Sequence, residues 1–178
     1  MLGVFAVGCV SPVGLDAAQT CAAVRARQSG IEAVVPQAGE PLLAARVPAR
    51  HARRASAAWL RRLLVRALRE CLAAYVGDPR RLALFIALPE PARHHAASLD
   101  GTGHAFMRRT LSQLGRPFSP HSRVLLHGHA SAVLGLQEAA RLLASGDIDG
   151  ALVGGADSLL NDIDRERKEL ADAMKLRI

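Results

Sequence analysis

Histidines and one serine lie close together in a short stretch of the sequence. His127 and His129 flank Gly128, His121 precedes them, and Ser131 follows. An imidazole can ligate zinc, act as a general base or serve as a nucleophile. Zinc needs further ligands, however, and no fourth ligand has a suitable spacing, so we predict no metal site. Ser131 has no base assigned to it, which favours a place in the first turn of a helix over a nucleophilic role.

Strands and helices alternate around this stretch. Short apolar runs predict strands buried on both faces, and apolar residues three or four apart predict helices. The predicted strands lie at 3–10, 81–88, 123–126 and 150–155, with one or two short strands around 42–47. The predicted helices lie at 16–27, 55–75, 105–114 and 130–144. Such alternation is typical of an α/β fold with a mixed, mostly parallel sheet and helices on both faces.

The first and last helices carry signals for their ends and for their buried faces. Asp16 is predicted to cap the first helix at its N-terminus. Gly30 is predicted to end the same helix in a left-handed conformation. The apolar face of the last helix is predicted to consist of Val133, Leu136, Ala140 and Leu143.

The composition is that of a single folded domain. Half of the 178 residues are hydrophobic but only 3% are aromatic, so small aliphatic side chains must fill the core. We expect one domain at 1–160 and a charged terminal helix or tail at 161–178. Cys9, Cys21 and Cys71 form no CxxC pair, which favours a reducing compartment, and we expect a cytoplasmic protein. No apolar run approaches the roughly 18 residues that a membrane span needs, and no segment resembles a signal peptide.

The chain is basic, with a formal net charge of +7. Arginines concentrate in and just before one predicted helix, at Arg53, Arg54, Arg61, Arg62, Arg66 and Arg69. The sequence has no zinc-finger spacing and no basic strand studded with aromatic residues, so we expect no nucleic-acid binding. Such an arginine run is typical of a solvated helix face. The alternative is a docking patch for an acidic partner, formed by Arg61, Arg62, Arg66 and Arg69.

Six short motifs follow one another in a fixed order. They are VGCVSPVG at 7–14, QSGI at 28–31, HASA at 129–132, AAR at 139–141, SGD at 145–147 and GGAD at 154–157. In this order and spacing they resemble the N-terminal half of the β-ketoacyl-acyl-carrier-protein synthases, or ketosynthases, of the thiolase superfamily. The first two motifs are similar to the family's opening strand, turn and first helix end. The other four are similar to its nucleophile turn, the helix behind that turn and the end of the next strand. The resemblance implies one thiolase-like half.

The resemblance implies covalent acyl chemistry at a nucleophilic cysteine, with two histidines from the family's second half assisting the condensation. This sequence departs from the family at both points. His129 stands at the position of the nucleophilic cysteine, and the sequence ends before the second half. We therefore expect His129 to be a vestigial residue in the old nucleophile pocket. The alternative is that His129 itself accepts an acyl group, activated by the terminus of the helix.

The function implied by the resemblance lies in fatty-acid or polyketide-type acyl metabolism. We expect a degenerate, non-condensing subunit that uses no cofactor and forms a homo- or heterodimer. The expected partners are an active ketosynthase and an acyl carrier protein. A lone half would leave apolar surface exposed where the second half packs. Two alternatives stay open: a fragment of an active 3-oxoacyl-acyl-carrier-protein synthase, and a structural self-associating module without an acyl ligand.

Overall fold

A computed structural model describes four ranges of the chain, residues 3–34, 41–48, 56–90 and 103–157. The charged terminal helix predicted at 161–178 lies outside the described residues, as do Arg53 and Arg54. Within the described ranges, no helix is long and apolar enough to cross a membrane.

The described elements alternate as the sequence predicts after residue 80. The strands are β1 (Ile31–Val34), β2 (Leu42–Ala45), β3 (Leu82–Ala87), β4 (Arg123–Leu125) and β5 (Gly150–Gly155). The α-helices are α1 (Ala17–Arg25), α2 (Ala57–Ala73), α3 (His104–Leu114) and α4 (Ser131–Ser145). All four predicted helices and the last three predicted strands are confirmed to within two residues at each end.

A parallel sheet of three strands lies at the centre, in the order β4-β3-β5. On the middle strand, Phe85 pairs with Arg123 of β4 and with Val153 of β5. The short strands β1 and β2 form a separate antiparallel pair, which confirms the strand predicted around 42–47. The predicted α/β class is therefore confirmed at this level, with a purely parallel central sheet among the described strands.

Helices cover both faces of β3. Successive residues of a strand point to opposite sides, so alternate residues of β3 pack against different helices. On one side, the core combines residues of β3, α2 and α3: Leu84, Ile86, Leu60, Leu64, Leu68 and Phe106. On the other side, β3 packs against α4 through Ala83, Phe85, Ala139 and Leu142. The two helical layers bury the first five residues of β3 and explain its continuous apolar run.

The prediction of a buried strand at 3–10 is wrong. This segment has no regular secondary structure, and Val4, Phe5 and Val7 are exposed. It lies along α2, where the backbone N–H of Cys9 donates to the Glu70 carboxylate at 3.1 Å. The segment has no strand neighbour among the described strands, so its apolar pattern alone does not produce a strand.

The two ends of α1 differ in how well the sequence predicts them. Asp16 caps the N-terminus as predicted, and its side chain accepts a hydrogen bond from the Gln19 N–H at 2.7 Å. At the other end, the left-handed residue is Arg27, with φ of 54°, and Gly30 does not adopt that conformation. The predicted glycine cap is therefore wrong.

The buried face of α4 is rotated relative to the prediction. Val133 and Leu136 are exposed, whereas Leu143 packs against the core from a partly buried position. The buried face consists of Ser131, Gly135, Ala139 and Leu142. Three of these four residues, Ser131, Gly135 and Ala139, are small because the helix lies very close to the sheet. A Cβ atom on Gly135 would be 3.0 Å from Val153 Cγ1 and 3.3 Å from Leu125 Cδ1. Contact with the sheet therefore excludes a larger side chain at position 135.

Candidate functional site

The predicted histidine stretch lies at the carboxyl edge of the central sheet. In open α/β sheets, ligands bind outside the carboxyl ends of the parallel strands. Glu90 follows β3, His127 and His129 follow β4, and Asp157 follows β5. The first turn of α4 begins at the same edge. The topology thus places carboxylates, imidazoles and a helix N-terminus along one edge.

Ser131 joins the elements at this edge and is fully buried. Its Oγ accepts a hydrogen bond from the His127 backbone N–H at 2.8 Å. The same hydroxyl lies 3.0 Å from the Leu125 carbonyl oxygen and 3.4 Å from that of Leu88, and its single proton can be donated to one of them at a time. Ser131 is therefore a structural first-turn residue of α4, as the sequence indicates.

The turn between β4 and α4 needs a glycine at its centre. Gly128 adopts a left-handed conformation with φ of 55°, and a side chain there would collide with the Glu90 carboxylate. This half-buried carboxylate therefore lies directly against the turn that carries His127 and His129.

His129 lies in the middle of a single 3₁₀ turn, Gly128–Ala130, that leads into α4. Its side chain and that of His127 are exposed to solvent. No group of three or more His, Cys, Asp or Glu side chains that could hold a metal ion exists in the described part of the chain. The turn therefore presents an accessible imidazole.

The four arginines that the sequence proposes for partner binding separate into two groups. Arg62, Arg66 and Arg69 are exposed and border one groove on α2. Arg61 is buried, and its Nε has no hydrogen-bond partner within the described structure. Burial lowers the pKa of Arg61, and the charges of Arg109 and Arg62 lower it further. Arg61 therefore does not belong to the docking patch. Helical periodicity alone does not reveal that this arginine is buried.

Sequence reasoning missed two features of these sites. Glu90 was recognisable only as a polar residue after a predicted strand, and the rule that carboxyl ends of parallel strands meet at one edge would have found it. The apolar floor of the arginine groove comes from segments far apart in the sequence, such as Leu15, Val47 and Trp59. No local pattern connects these three residues.

Comparison with known proteins found no matching family model, no matching curated protein and no matching solved structure. The ketosynthase resemblance therefore stays a prediction that rests on the order of the motifs. In the structure, His129 lies between the parallel strand β4 and the N-terminus of helix α4.

Proposed function

We propose that the chain is a ketosynthase-like protein of fatty-acid or polyketide-type acyl metabolism, acting as a non-condensing partner of an active ketosynthase. One observation carries the proposal: an exposed histidine, His129, lies on the turn before α4 where the family's nucleophile is expected. The three cysteines lie elsewhere: Cys9 on the N-terminal segment, Cys21 on α1 and Cys71 on α2. A thiolate is the nucleophile of the family reaction, so this turn lacks the group that would carry the acyl chain.

An exposed apolar face on α4 supports the partner role. Val133 is 57% exposed and Leu136 is 59% exposed, one helical turn apart, with Leu134 beside them. Exposed apolar side chains that lie together indicate a protein contact surface. The face begins one turn beyond His129, so a partner that covers it would also contact the histidine turn.

A second contact is proposed for the acyl carrier protein. Arg62, Arg66 and Arg69 present positive charge on the exposed face of α2. An acidic carrier protein would meet complementary charge there, which raises association rates and favours correct orientation. This patch is separate from the α4 face in the sequence, so the two contacts can be tested with different variants.

Affinity capture of the tagged chain from its native lysate tests the partner role. Wild-type protein is expected to retain a cysteine-bearing ketosynthase, identified by mass spectrometry. Val133→Glu and Leu136→Glu place a charge on the α4 face and are expected to abolish this retention. Val24→Glu, at an exposed position of α1, is the matched control and should retain the partner. Recovery of the chain alone would instead favour the self-associating module.

The absence of acyl transfer is tested directly on the purified chain. Incubation with an acyl thioester should leave the intact mass unchanged, because an imidazole at position 129 replaces the thiol nucleophile. A mass increase that peptide sequencing assigns to His129 would overturn the non-condensing role. It would support the alternative in which this histidine accepts the acyl group.

A further inference from the structure

A groove on the outer face of α2 has an apolar floor. Its volume is about 570 Å³, which is within the range of small-molecule sites in proteins. The apolar residues that line it are Val10, Leu15, Val47, Pro48, Trp59, Leu63 and Val65. These residues come from the N-terminal segment, the stretch after β2, and α2. The groove is therefore a product of the tertiary fold.

Three arginines border the same groove at positions i, i+4 and i+7 of α2. These residues, Arg62, Arg66 and Arg69, share one side of the helix and are exposed. Among the residues that the structure describes, none of the three forms an ion pair with an acidic side chain. Their charges repel one another along the helix, and an anion in the groove would relieve that repulsion.

Four other exposed arginines of the described structure each have an acidic partner. Arg46 pairs with Glu32 at 3.3 Å, and Arg81 pairs with Asp149 at 2.7 Å. Arg123 pairs with Glu138 at 2.7 Å, and Arg141 pairs with the same carboxylate at 2.8 Å. The three groove arginines have no such partner among the described residues, and they differ from the remaining unpaired exposed arginines in bordering one apolar groove together.

Backbone contacts hold two of the groove arginines in place. Arg66 Nε donates to the Leu15 carbonyl oxygen, and Arg69 Nη2 donates to the Gln113 carbonyl oxygen at 2.7 Å. A guanidinium has five N–H donors, so each of these bonds leaves several donors for another acceptor. Guanidinium groups that are fixed in this way are suited to bind a carboxylate or a phosphate through paired hydrogen bonds.

We propose that this groove binds a small amphiphilic anion, a carboxylate or phosphate head joined to an apolar chain. The head contacts the guanidinium groups of Arg62 and Arg66, and the chain lies along the apolar floor beside Trp59. Both halves of the groove are needed for this chemistry, because the arginines alone would accept any anion and the floor alone any apolar molecule. The inference stands on the groove and does not depend on the ketosynthase-like role.

Trp59 provides the readout, because it is the sole tryptophan of the chain and lines the groove. We expect dodecyl phosphate, titrated as a monomer into the purified full chain, to change the tryptophan fluorescence in a saturable way. Inorganic phosphate has the head without the chain, and dodecanol has the chain without the charge. Each should bind at least about tenfold more weakly, since each lacks one set of contacts.

Arginine substitutions distinguish binding in the groove from binding to positive charge elsewhere on the surface. Arg62→Gln and Arg66→Gln should each weaken dodecyl phosphate binding by about tenfold, the effect of losing one charge-assisted contact. Arg108→Gln removes the same charge from an exposed position of α3 outside the groove and should leave the affinity unchanged. Within the described structure the Arg62 guanidinium donates to no backbone carbonyl, so its substitution tests the contact without disturbing the bond between Arg66 and Leu15.

Three results would overturn the proposal. One is equal affinity for dodecanol and dodecyl phosphate, which would show a merely apolar surface. Another is wild-type affinity in both arginine variants. The third is a fluorescence change with phosphatidylglycerol vesicles but not with the monomer, which would indicate an anionic membrane surface as the partner. Because the assay contains no other protein, a negative result here leaves the outcome of the affinity capture unaffected.

Discussion

Two apolar runs of this chain have similar sequences and different structures. The segment 3–10 reads GVFAVGCV, and the strand β3 reads LALFIA. Phe5 in the first run is 96% exposed, whereas Phe85 in the second is 0% exposed. Both runs satisfy the same rule for a buried strand. The difference shows that an apolar run is a strand only where the fold supplies neighbours.

The two runs have different neighbours: β3 lies between strands and helices, whereas the segment 3–10 contacts helix α2. β3 has a parallel strand on each side and a helical layer on each face. The segment 3–10 instead lies on α2, with Gly8 directly against the Ala67 carbonyl. Its polar attachment is the carboxylate of Glu70, which accepts from the N–H groups of Cys9 and Ala17. One run is held by a core, the other by a few surface contacts.

Matched phenylalanine substitutions test this comparison with the largest expected effect. Phe85→Ala should lower the free energy of unfolding by about 3–5 kcal/mol, because it leaves a cavity between β3 and α4. Phe5→Ala should change it by no more than about 0.5 kcal/mol, since the ring contacts mainly solvent. Urea denaturation followed by circular dichroism measures both. A loss above about 1 kcal/mol for Phe5→Ala would show that the N-terminal run packs against the protein in solution.

Removal of the Ser131 hydroxyl tests how the turn between β4 and α4 is fixed. Ser131→Ala leaves the His127 N–H without its acceptor and should cost about 1–3 kcal/mol in the free energy of unfolding. Ser112→Ala, at an exposed position of α3, is the control and should cost no more than about 0.5 kcal/mol. Equal effects of the two substitutions in urea denaturation would contradict the bridging role of Ser131.

The attachment of the N-terminal segment depends on Glu70. Glu70→Ala removes the acceptor of two backbone N–H groups and should speed hydrogen exchange at Cys9 and Ala17 by about fivefold, or roughly 1 kcal/mol. Amides of β3 should keep their protection, because the sheet does not contact this carboxylate. Exchange measured by nuclear magnetic resonance distinguishes the two regions. Faster exchange throughout β3 would mean that the segment stabilises the whole fold.

The reactivity of the Cys71 thiol reports whether the segment 3–10 covers α2. It is the smallest of the expected effects. Gly8 lies against the Cys71 sulfur, and burial raises the pKa of the Cys71 thiol, with the charge of Glu70 raising it further. At a given pH less thiolate is present, so Cys71 should react with iodoacetamide severalfold more slowly than the exposed Cys21. Its reaction should accelerate only at higher pH than for an ordinary thiol. Equal rates at neutral pH, measured by peptide mass spectrometry, would show that the segment leaves α2 uncovered.

The sequence by itself determined the helices and the three central strands. Leu60, Leu64 and Leu68 recur at helical spacing, and the apolar run around Phe85 is flanked by turn residues, so local pattern and final structure agree. The N-terminal cap at Asp16 was equally predictable, because a cap is a contact between residues three apart. The position of His129 before α4 also follows from the order of the elements.

The tertiary structure alone decided which surfaces meet. Periodicity gave α4 an apolar face at Val133 and Leu136, but close approach to the sheet selected the small-residue face around Gly135. Helical spacing likewise grouped Arg61 with its neighbours, although the fold buries Arg61 and brings it under the influence of the Arg109 charge on α3. The groove and the carboxyl edge join residues from distant segments. Local pattern records what each residue prefers, whereas contact depends on distances that are fixed only when all the elements have packed.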